Sequence, residues 1–593
     1  LATAELQTDH IVVQTTYQDR HVMTQLAGSR FDRESQTWRV PLSWQACIAL
    51  RSLFGDTLTI GPDLTEWAYA ERERKILPAM AMRDAIEPDP SPVWTYIDEV
   101  EKGSSLKLFP YQRVDAEFMA TVGQLILANE PGLGKTGATI RAVQLMCKLG
   151  MDPLPVLVIC PNSLKFTVWQ EGFALWAPEL KVTVIDGSAG KRRKQLLEPS
   201  DVYVINWESV RLHSRLAPYG QIQLTDAEKA IKELNELDLR TVIMDEAHRL
   251  KDPAAKQTRA AWAVAHGAVY RFALTGTPVT KNVGDLWALL HAVHPRGFPA
   301  KTKFINRYAQ TTFNFFGGME ITGINPGTRD ELFKMVDPLL RRVPKQAALP
   351  QLPEKLPVQY RHTPMTPKQQ KAYDQMAEGM MASLNELLVA PNPLSQLTRL
   401  AQFAAAAAEV EPDQYGPDGE LVQRGRVKLV APSSKVDDLV DLLEEMGDAP
   451  LVVGAVSRQL VELAAKKLES LNISHGLITG AQSSAERAKI VTAFQAGHIR
   501  VVLLTLGAGA EGITLTRADT FLFMQESWSE VQNLQAQDRV HRIGSEGHKA
   551  IRIIVQITPN SIEERKISVL ADKREQMQEV VRDAATLKKL LGG

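Results

Sequence analysis

Along most of the chain, short apolar runs alternate with longer stretches of helical character. QLILA (124–128), VLVIC (156–160), VYVIN (202–206), TVIMD (241–245) and FALTG (272–276) are each closed off by polar turns. Runs this short and this continuously apolar suit parallel strands buried on both faces, with helices as the crossovers. A second series follows in LVVGAV (451–456), HGLITG (475–480), VVLLTL (501–506), TFLFMQ (520–525) and IRIIVQ (551–556). The pattern predicts α/β architecture, with a doubly wound parallel sheet in each half.

Elsewhere the rhythm breaks. Residues 1–100 carry strand-like pieces around IVVQ and WRVPL, then a charged helical stretch, EWAYAERERKILPAM. EPDPSPVW (87–94) reads as a linker, because its prolines block helix and favour extended chain. Residues 296–355 hold the aromatic pieces KFINRY and TTFNFF and then LLRRVPKQAALPQLP, and 365–408 read as helix ending in an alanine run. EPDQYGPDGELVQRGRVKLV (411–430) is expected to be an exposed loop or hairpin, and the end of the chain a charged helical tail.

Composition changes this picture only at the margins. A chain of 593 residues exceeds what one core can hold, and its length suggests about three to five domains. Hydrophobic content of 44% and charged content of 23% are ordinary for a globular protein. The longest apolar runs fall short of the roughly 18 residues of a membrane span, so no membrane partner is expected. The opening LATAELQTDHIVV lacks a signal peptide's basic start and apolar stretch, and Leu1 leaves room for an initiator residue or short leader upstream. Cys47, Cys147 and Cys160 form no CxxC pair, which argues against a zinc site or disulfide scaffold and fits a reducing interior. With a formal net charge of −1, any nucleic-acid contact must come from a local basic groove. KRRK (191–194) is the densest basic run, and a solvated loop explains it better than a binding patch does.

Candidate chemistry sits at the ends of the predicted strands. QLILA leads into NEPGLGKTGATI and then a helix, the context a phosphate loop needs. Gly132 and Gly134, with Leu133 between them, let the backbone approach an anion; Lys135 is placed to reach the β- and γ-phosphates and Thr136 to ligate Mg²⁺. The general GxxxxGKT pattern wants a glycine at 129, where this chain has Asn129. TVIMDEAH (241–248) ends an apolar strand in two carboxylates: Asp245 to hold the metal, Glu246 to orient and deprotonate water. LTGTP (274–278) offers hydroxyls that can couple the phosphate site to the second lobe.

In the second half, QAQDRVHRIG (535–544) carries Arg539 and Arg542, three apart and so expected close to one face of a helix. Two guanidinium groups suit the charge that develops in phosphoryl transfer. His541 between them reads equally as a coupling residue or a packed histidine. Gln112 in FPYQ (109–112) has an amide able to read adenine's donor and acceptor edge. ICPNSLKFTVWQ (159–170) and LLTLGAGAEGITLT (503–516) put small polar residues after strands, where amides and hydroxyls can hold nucleic-acid phosphates.

Taken in order, these residues resemble the Swi2/Snf2 branch of the superfamily 2 helicase-like ATPases. FPYQ looks like the family's adenine motif and ILANEPGLGKT like its phosphate loop. PNSLKFTVWQEGF, MDEAHRLKD and LTGTPVTKNVGDLWALL resemble the next three motifs, and LLRR (339–342), SSK (433–435), the segment from VVLLTL to QAQDRVHRIG and SIEERKI (561–567) resemble the rest. Departures are Asn129 and Pro131, where Asp and Met are typical, and Ala510, Glu511 and Thr514, where many relatives carry Gly, Leu and Asn. The wording of GITLT and QAQDRVHRIG looks most like the fork-remodelling, annealing-helicase group. FDRESQTWRVPL (31–42) is similar to the DNA-structure-sensing domain of that group, though an ordinary strand with a buried Trp38 explains it equally well.

The resemblance implies two RecA-like lobes, 101–295 and 436–560, with helical insertions and linker at 296–435. A small N-terminal accessory domain (1–100) and a helical tail (561–593) flank them. It implies ATP and Mg²⁺ as ligands, with Gln112, Gly132, Leu133, Gly134, Lys135 and Thr136 on the nucleotide and Thr136 and Asp245 on the metal. Lys135, Asp245, Glu246, Arg539 and Arg542 are the expected catalytic set, and Asn162, Ser163, Lys165, Thr505 and Gly507 the expected DNA contacts. The expected activity is ATP-driven translocation on double-stranded or branched DNA, giving branch migration, fork regression or reannealing with little processive unwinding. A monomer in the cytoplasm of a bacterial or phage-infected cell is expected. Two rival readings stay open: a motor that displaces DNA-bound protein such as RNA polymerase, and a DNA-structure binder that uses ATP only as a switch.

Overall fold

The computed structural model describes residues 2–567 and 570, apart from 90, 92, 103–105, 280–281, 314–318, 387–399, 412–413, 416–420, 424–425 and 510–512. The chain divides into two compact units, with the boundary between Pro350 and Gln351.

The first unit opens with a small sheet built from β1 (Ala2–Gln7), β2 (His10–Thr15), β3 (Arg30–Asp32), β4 (Thr37–Pro41) and β5 (Leu58–Ile60), in the order β3-β4-β2-β1-β5. Alternation along the strands places Ala4, Ile11, Val13, Trp38 and Val40 on one face. These side chains and Leu50 of the helix Trp44–Phe54 make a core of their own. Ser43 caps that helix by accepting from the amide of Ala46.

The main sheet of this unit has seven strands: β6 (Gln124–Leu127), β7 (Val156–Cys160), β8 (Val182–Val184), β9 (Val202–Asn206), β10 (Thr241–Asp245), β11 (Tyr270–Leu274) and β14 (Leu340–Arg341). Their order is β14-β6-β11-β10-β7-β9-β8, and every pairing is parallel. All residues of β7 and β10 are buried, as strands covered on both faces must be. Between β11 and β14 an antiparallel hairpin forms from β12 (Ala309–Phe313) and β13 (Met319–Ile324).

The second unit has its own parallel sheet from β15 (Glu354–Lys355), β16 (Gln359–His362), β21 (Leu451–Ala455), β22 (His475–Ile478), β23 (Val501–Thr505), β24 (Thr520–Phe523) and β25 (Ala550–Ile557). The order is β15-β25-β24-β21-β23-β22, with β16 also pairing β25. The expected hairpin near 411–430 is present as β17 (Ala407–Glu411) with β20 (Arg426–Val430), extended by β18 (Gln414–Tyr415) with β19 (Leu421–Gln423). The helix Ser434–Glu445 packs on this sheet, and Lys435 buries its ammonium between the carbonyls of Met524 and Gln556 and both oxygens of Glu563. SSK and SIEERKI, far apart in sequence, are thus one structural joint.

Two of the expected boundaries shift. The N-terminal sheet ends at Ile60, and residues 82–85 are tied into the main lobe of the same unit, because Arg341 donates to the carbonyls of Met82, Arg83 and Ala85. The segment 296–435 is not purely helical insertion: it contains two hairpin systems, and β15 and β16 within it belong to the second sheet. The tail beyond residue 570 lies outside the described residues.

Candidate nucleotide site

Three neighbouring strands of the first main sheet, β6, β11 and β10, end at the same edge, and each passes directly into one of the sequence motifs. In an open parallel sheet the carboxyl edge is where ligands sit. The phosphate loop leaves β6 and feeds the helix Lys135–Lys148, whose first amides have no carbonyl behind them, the arrangement that receives anions. Gly132 (φ +86°) and Gly134 (φ +66°) take left-handed conformations that L side chains rarely adopt. A Cβ at position 134 would run into Nε2 of Gln112.

Lys135 holds its ammonium 2.8 Å from the Asn129 carbonyl and 3.4 Å from that of Glu130, spanning the loop it belongs to. Leu133 is buried, and its carbonyl accepts from Gln112 Nε2 (3.0 Å) and the Tyr111 hydroxyl (3.2 Å). Gln112 Oε1 accepts from the Phe109 amide at 2.9 Å and so starts the helix Pro110–Val122. The Gln112 amide thus ties the loop to the start of this helix, using one of its two N–H donors and one of its two acceptor lone pairs. Thr136 lies in the helix's first turn, half-buried.

At the end of β10, Asp245 is buried. Trp169 Nε1 donates to its Oδ2 at 2.9 Å, the Glu246 amide to its Oδ1 at 2.9 Å, and Trp207 Nε1 to its backbone carbonyl at 2.9 Å. Burial, then the adjacent charge of Glu246, pushes the Asp245 pKa up to about 7, against the opposing pull of the Trp169 hydrogen bond and of Lys135. Asp245 with the Thr136 hydroxyl and the glycine loop make a donor set of oxygens and amides whose chemistry suits a hard cation and phosphate. Glu246 turns the chain with φ +52°, and His248 Nδ1 sits 3.2 Å from its Oε2 and 3.5 Å from Thr275 Oγ1. That histidine links the carboxylate pair to the TGTP turn.

The two tryptophans and Arg342 are functional supports that motif reading missed. Arg342 donates to the carbonyls of Ala128 (3.2 Å) and Gly276 (3.1 Å) and pairs with Glu130 (3.2 Å), bracing the phosphate loop against the TGTP turn. Beneath it, Asn129 donates to Asp115 (2.7 Å) and accepts from the Val343 amide (2.9 Å). Only the typical adjacency of these motifs in related sequences could have signalled such contacts.

The expected DNA contacts are divided. Asn162 is exposed and Ser163 half-buried on the turn after β7. Lys165 is not available as expected: it is buried, with its ammonium 2.6 Å from Asp186 and 3.3 Å from the Ile185 carbonyl. In the second unit Thr505 closes β23 and is buried, while Gly507 is exposed on the short helix Leu506–Gly509. Ala510 and Glu511 lie outside the described residues.

Arg539 and Arg542 are not on a helix face, since the helix Glu530–Gln537 ends before them. They nevertheless converge: each sends Nη1 to the Ile513 carbonyl at 3.3 Å, and Arg539 Nε donates to Gln535 O at 3.0 Å. Burial lowers the Arg542 pKa, and Asp538 opposes that shift. His541 Nε2 lies 3.0 Å from the Pro353 carbonyl, so it ties this turn to the segment leading into β15.

A glycine loop, a carboxylate pair and a hydroxyl turn on three adjacent strand ends define a nucleoside triphosphatase of the helicase-like class. The SNF2-related domain family matches residues 66–405, more than half of the chain, and the helicase conserved C-terminal domain matches residues 434–544. The chain belongs to the Swi2/Snf2 family of helicase-like ATPases, whose domains are those of DNA-dependent ATPases.

Among curated relatives, it is 30% identical over 456 residues to the transcription regulatory protein SNF2 of Saccharomyces cerevisiae, covering 74% of this chain and 25% of that protein. It is 25% identical over 441 residues to the DNA annealing helicase and endonuclease ZRANB3 of Bos taurus, covering 74% of this chain and 37% of that protein. The TATA-binding protein-associated factor mot1 of Aspergillus fumigatus is 26% identical over 518 residues, with 78% of this chain and 26% of that protein covered. The chain thus spans about a quarter to two-fifths of the length of these relatives. A solved structure, the Sulfolobus solfataricus SWI2/SNF2 ATPase core in complex with dsDNA, matches at 23% identity and a TM-score of 0.37, covering 82% of this chain and 96% of that one.

Proposed function

We propose that this chain is an ATP-driven translocase on double-stranded DNA that remodels branched DNA by branch migration, fork regression or strand reannealing. The observation that carries the motor reading is the Asp245–Glu246 pair beside the phosphate loop, held by Trp169, Trp207 and His248. Bound Mg²⁺ would neutralise phosphate charge and stabilise the transferring group. Asp245 and Thr136 would hold the metal, Lys135 would leave its loop carbonyls for the phosphates, and Glu246 would take a proton from the attacking water. Arg539 and Arg542 are proposed to supply positive charge to the γ-phosphate, and Asn162, Ser163, Thr505 and Gly507 to contact the DNA backbone.

The branched-DNA output rests on likeness to relatives named as DNA annealing helicases and on the separate N-terminal sheet. A second reading, displacement of protein from DNA, stays open beside it, because the chain is as similar to a transcription regulatory protein, SNF2, and to a TATA-binding protein-associated factor, mot1, as to the annealing helicases. Steady-state ATP hydrolysis without DNA, and with single-stranded, duplex, forked and four-way-junction DNA, separates these. Forks or junctions stimulating above linear duplex support remodelling. Equal stimulation by any duplex leaves a translocase and favours displacement. No stimulation by any DNA overturns the DNA motor.

A further inference from the structure

The first main sheet has a cavity at its other edge. With a volume of about 430 Å³, it opens where the N-terminal sheet domain meets the amino ends of β6 and β11, lined among others by Gln45, Lys75, Gln124, Arg271, His294 and Arg296. That volume lies in the range of small-ligand sites. Gln124 begins β6 and Arg271 is the second residue of β11, whereas the phosphate loop and the TGTP turn leave the carboxyl ends of the same strands. At about 3.3 Å per residue, the cavity is roughly 10–15 Å from the nucleotide loop, on the opposite side of the sheet edge.

The cavity's charges do not balance. Three cations line it, Lys75, Arg271 and Arg296, against one carboxylate, Glu71. Glu71 is already engaged by Lys75 and Arg74, each at 3.4 Å, and Arg296 reaches Asp9 at 3.5 Å. The guanidinium of Arg271 has no hydrogen-bond or ion-pair partner among the described residues, and its Nε is fully buried. Burial, and then Arg296, lowers its pKa to about 10, the mark of a cation that lacks a counter-charge.

His294 carries an independent sign of the same deficit. Its Nδ1 lies 2.8 Å from Gln124 Oε1 and its Nε2 2.9 Å from Gln45 Oε1. Both amides are oriented by their nitrogens, which donate to Val269 O (3.2 Å) and Met335 O (3.0 Å). A neutral imidazole has one N–H, so satisfying both oxygens requires a doubly protonated ring. Yet burial and the nearby Arg271, Lys75 and Arg296 press that ring toward neutrality. An anion in the cavity resolves both conflicts at once.

We propose that this cavity binds a phosphate group, with Arg271 as its principal ligand and Arg296 and Lys75 at its mouth. Inorganic phosphate or a phosphate monoester offers three or more acceptor oxygens and nearly two charges to these cations, and a DNA phosphodiester offers two non-bridging oxygens and one charge; both suit the guanidinium fork of Arg271. The group comes either from the DNA backbone or from a free phosphorylated solute.

The test uses the full chain carrying K135A, which removes the proposed phosphate ligand of the nucleotide loop. Inorganic phosphate is titrated at constant ionic strength with ³¹P NMR linewidth as the readout, and a DNA duplex is titrated separately by fluorescence anisotropy. Adding R271Q is expected to weaken phosphate binding at least about tenfold, the loss of charge-assisted hydrogen bonds. The exposed-mouth variant R296Q should give a smaller loss in the same direction, and circular dichroism confirms that both remain folded. A parallel fall in duplex affinity assigns the phosphate to DNA, and an unchanged duplex affinity assigns it to a free solute. Phosphate affinity unchanged in both R271Q and R296Q, or phosphate binding abolished by K135A alone, overturns the site.

Discussion

Replacing Arg341 with methionine tests whether the lobe is held by a buried charge network. Arg341 and Asp115 are both completely buried, with Arg341 Nε 2.6 Å from Asp115 Oδ1. The same guanidinium donates to the carbonyls of Met82, Arg83 (3.1 Å), Ala85 (2.8 Å) and Tyr111 (3.2 Å). Burial already raises the Asp115 pKa, with Arg341 and Asn129 opposing the rise. Arg341→Met leaves that carboxylate buried with Asn129 alone, a loss of about 3–5 kcal/mol for a broken buried pair. In urea this lowers the unfolding midpoint by about 1–2 M.

Tryptophan fluorescence is the right probe, because nine of the ten tryptophans lie before Pro350 and only Trp528 lies in the second unit. Arg341→Lys keeps a charge but not the fork, and is expected to fall between wild type and methionine. The double variant D115N/R341M should lose less than the sum of the two single variants, since the remaining amide can still meet Asn129. A methionine variant that melts with wild type would show that the network adds nothing to stability.

Glu246→Gln is expected to cut ATP turnover by about 10²–10⁴-fold while nucleotide binding, read by equilibrium titration, is retained; unchanged multiple turnover would favour the switch reading instead. Gly134→Ala forces a side chain into a left-handed residue and against Gln112, so ATP affinity should fall sharply with no loss of far-ultraviolet circular dichroism. Glu331 gives a pH-dependent prediction. Burial alone would raise its pKa, but hydrogen bonds from Arg307, Tyr308 and Ser52 hold it below the ordinary 4.5. Its stabilisation is therefore complete above that value and lost as pH falls through the folded-state pKa. Thermal melts between about pH 5 and 3 should show a steeper decline for wild type than for E331Q.

The strands that carry the site were legible because burial on both faces leaves an uninterrupted apolar run, as in VLVIC and TVIMD. β8 and β14 were not, since three- and two-residue strands have no periodicity to read. The motifs placed Lys135, Asp245 and Glu246 at one sheet edge, but sequence shows a residue's charge and not where it points. Lys165 looked like a phosphate contact until its partner Asp186, 21 residues on, turned it inward. Arg539 and Arg542 converge through a turn rather than a helix face, because the helix ends at Gln537. The end of the N-terminal domain was misread for a similar reason. What ties residues 82–85 to the lobe is an arginine more than 250 residues later.

Asn129 stands where the Swi2/Snf2 pattern that this chain resembles has aspartate, and its surroundings tie that difference to a neighbouring residue. Its amide nitrogen is 2.7 Å from Asp115 Oδ2, with both side chains sealed from water. An aspartate at 129 would set two carboxylates against each other at that spacing. Positions 115 and 129 are coupled in this chain: with Arg341 already committed to Asp115, a carboxylate at 129 calls for a second change beside it, and neither side chain is exchanged without regard to the other.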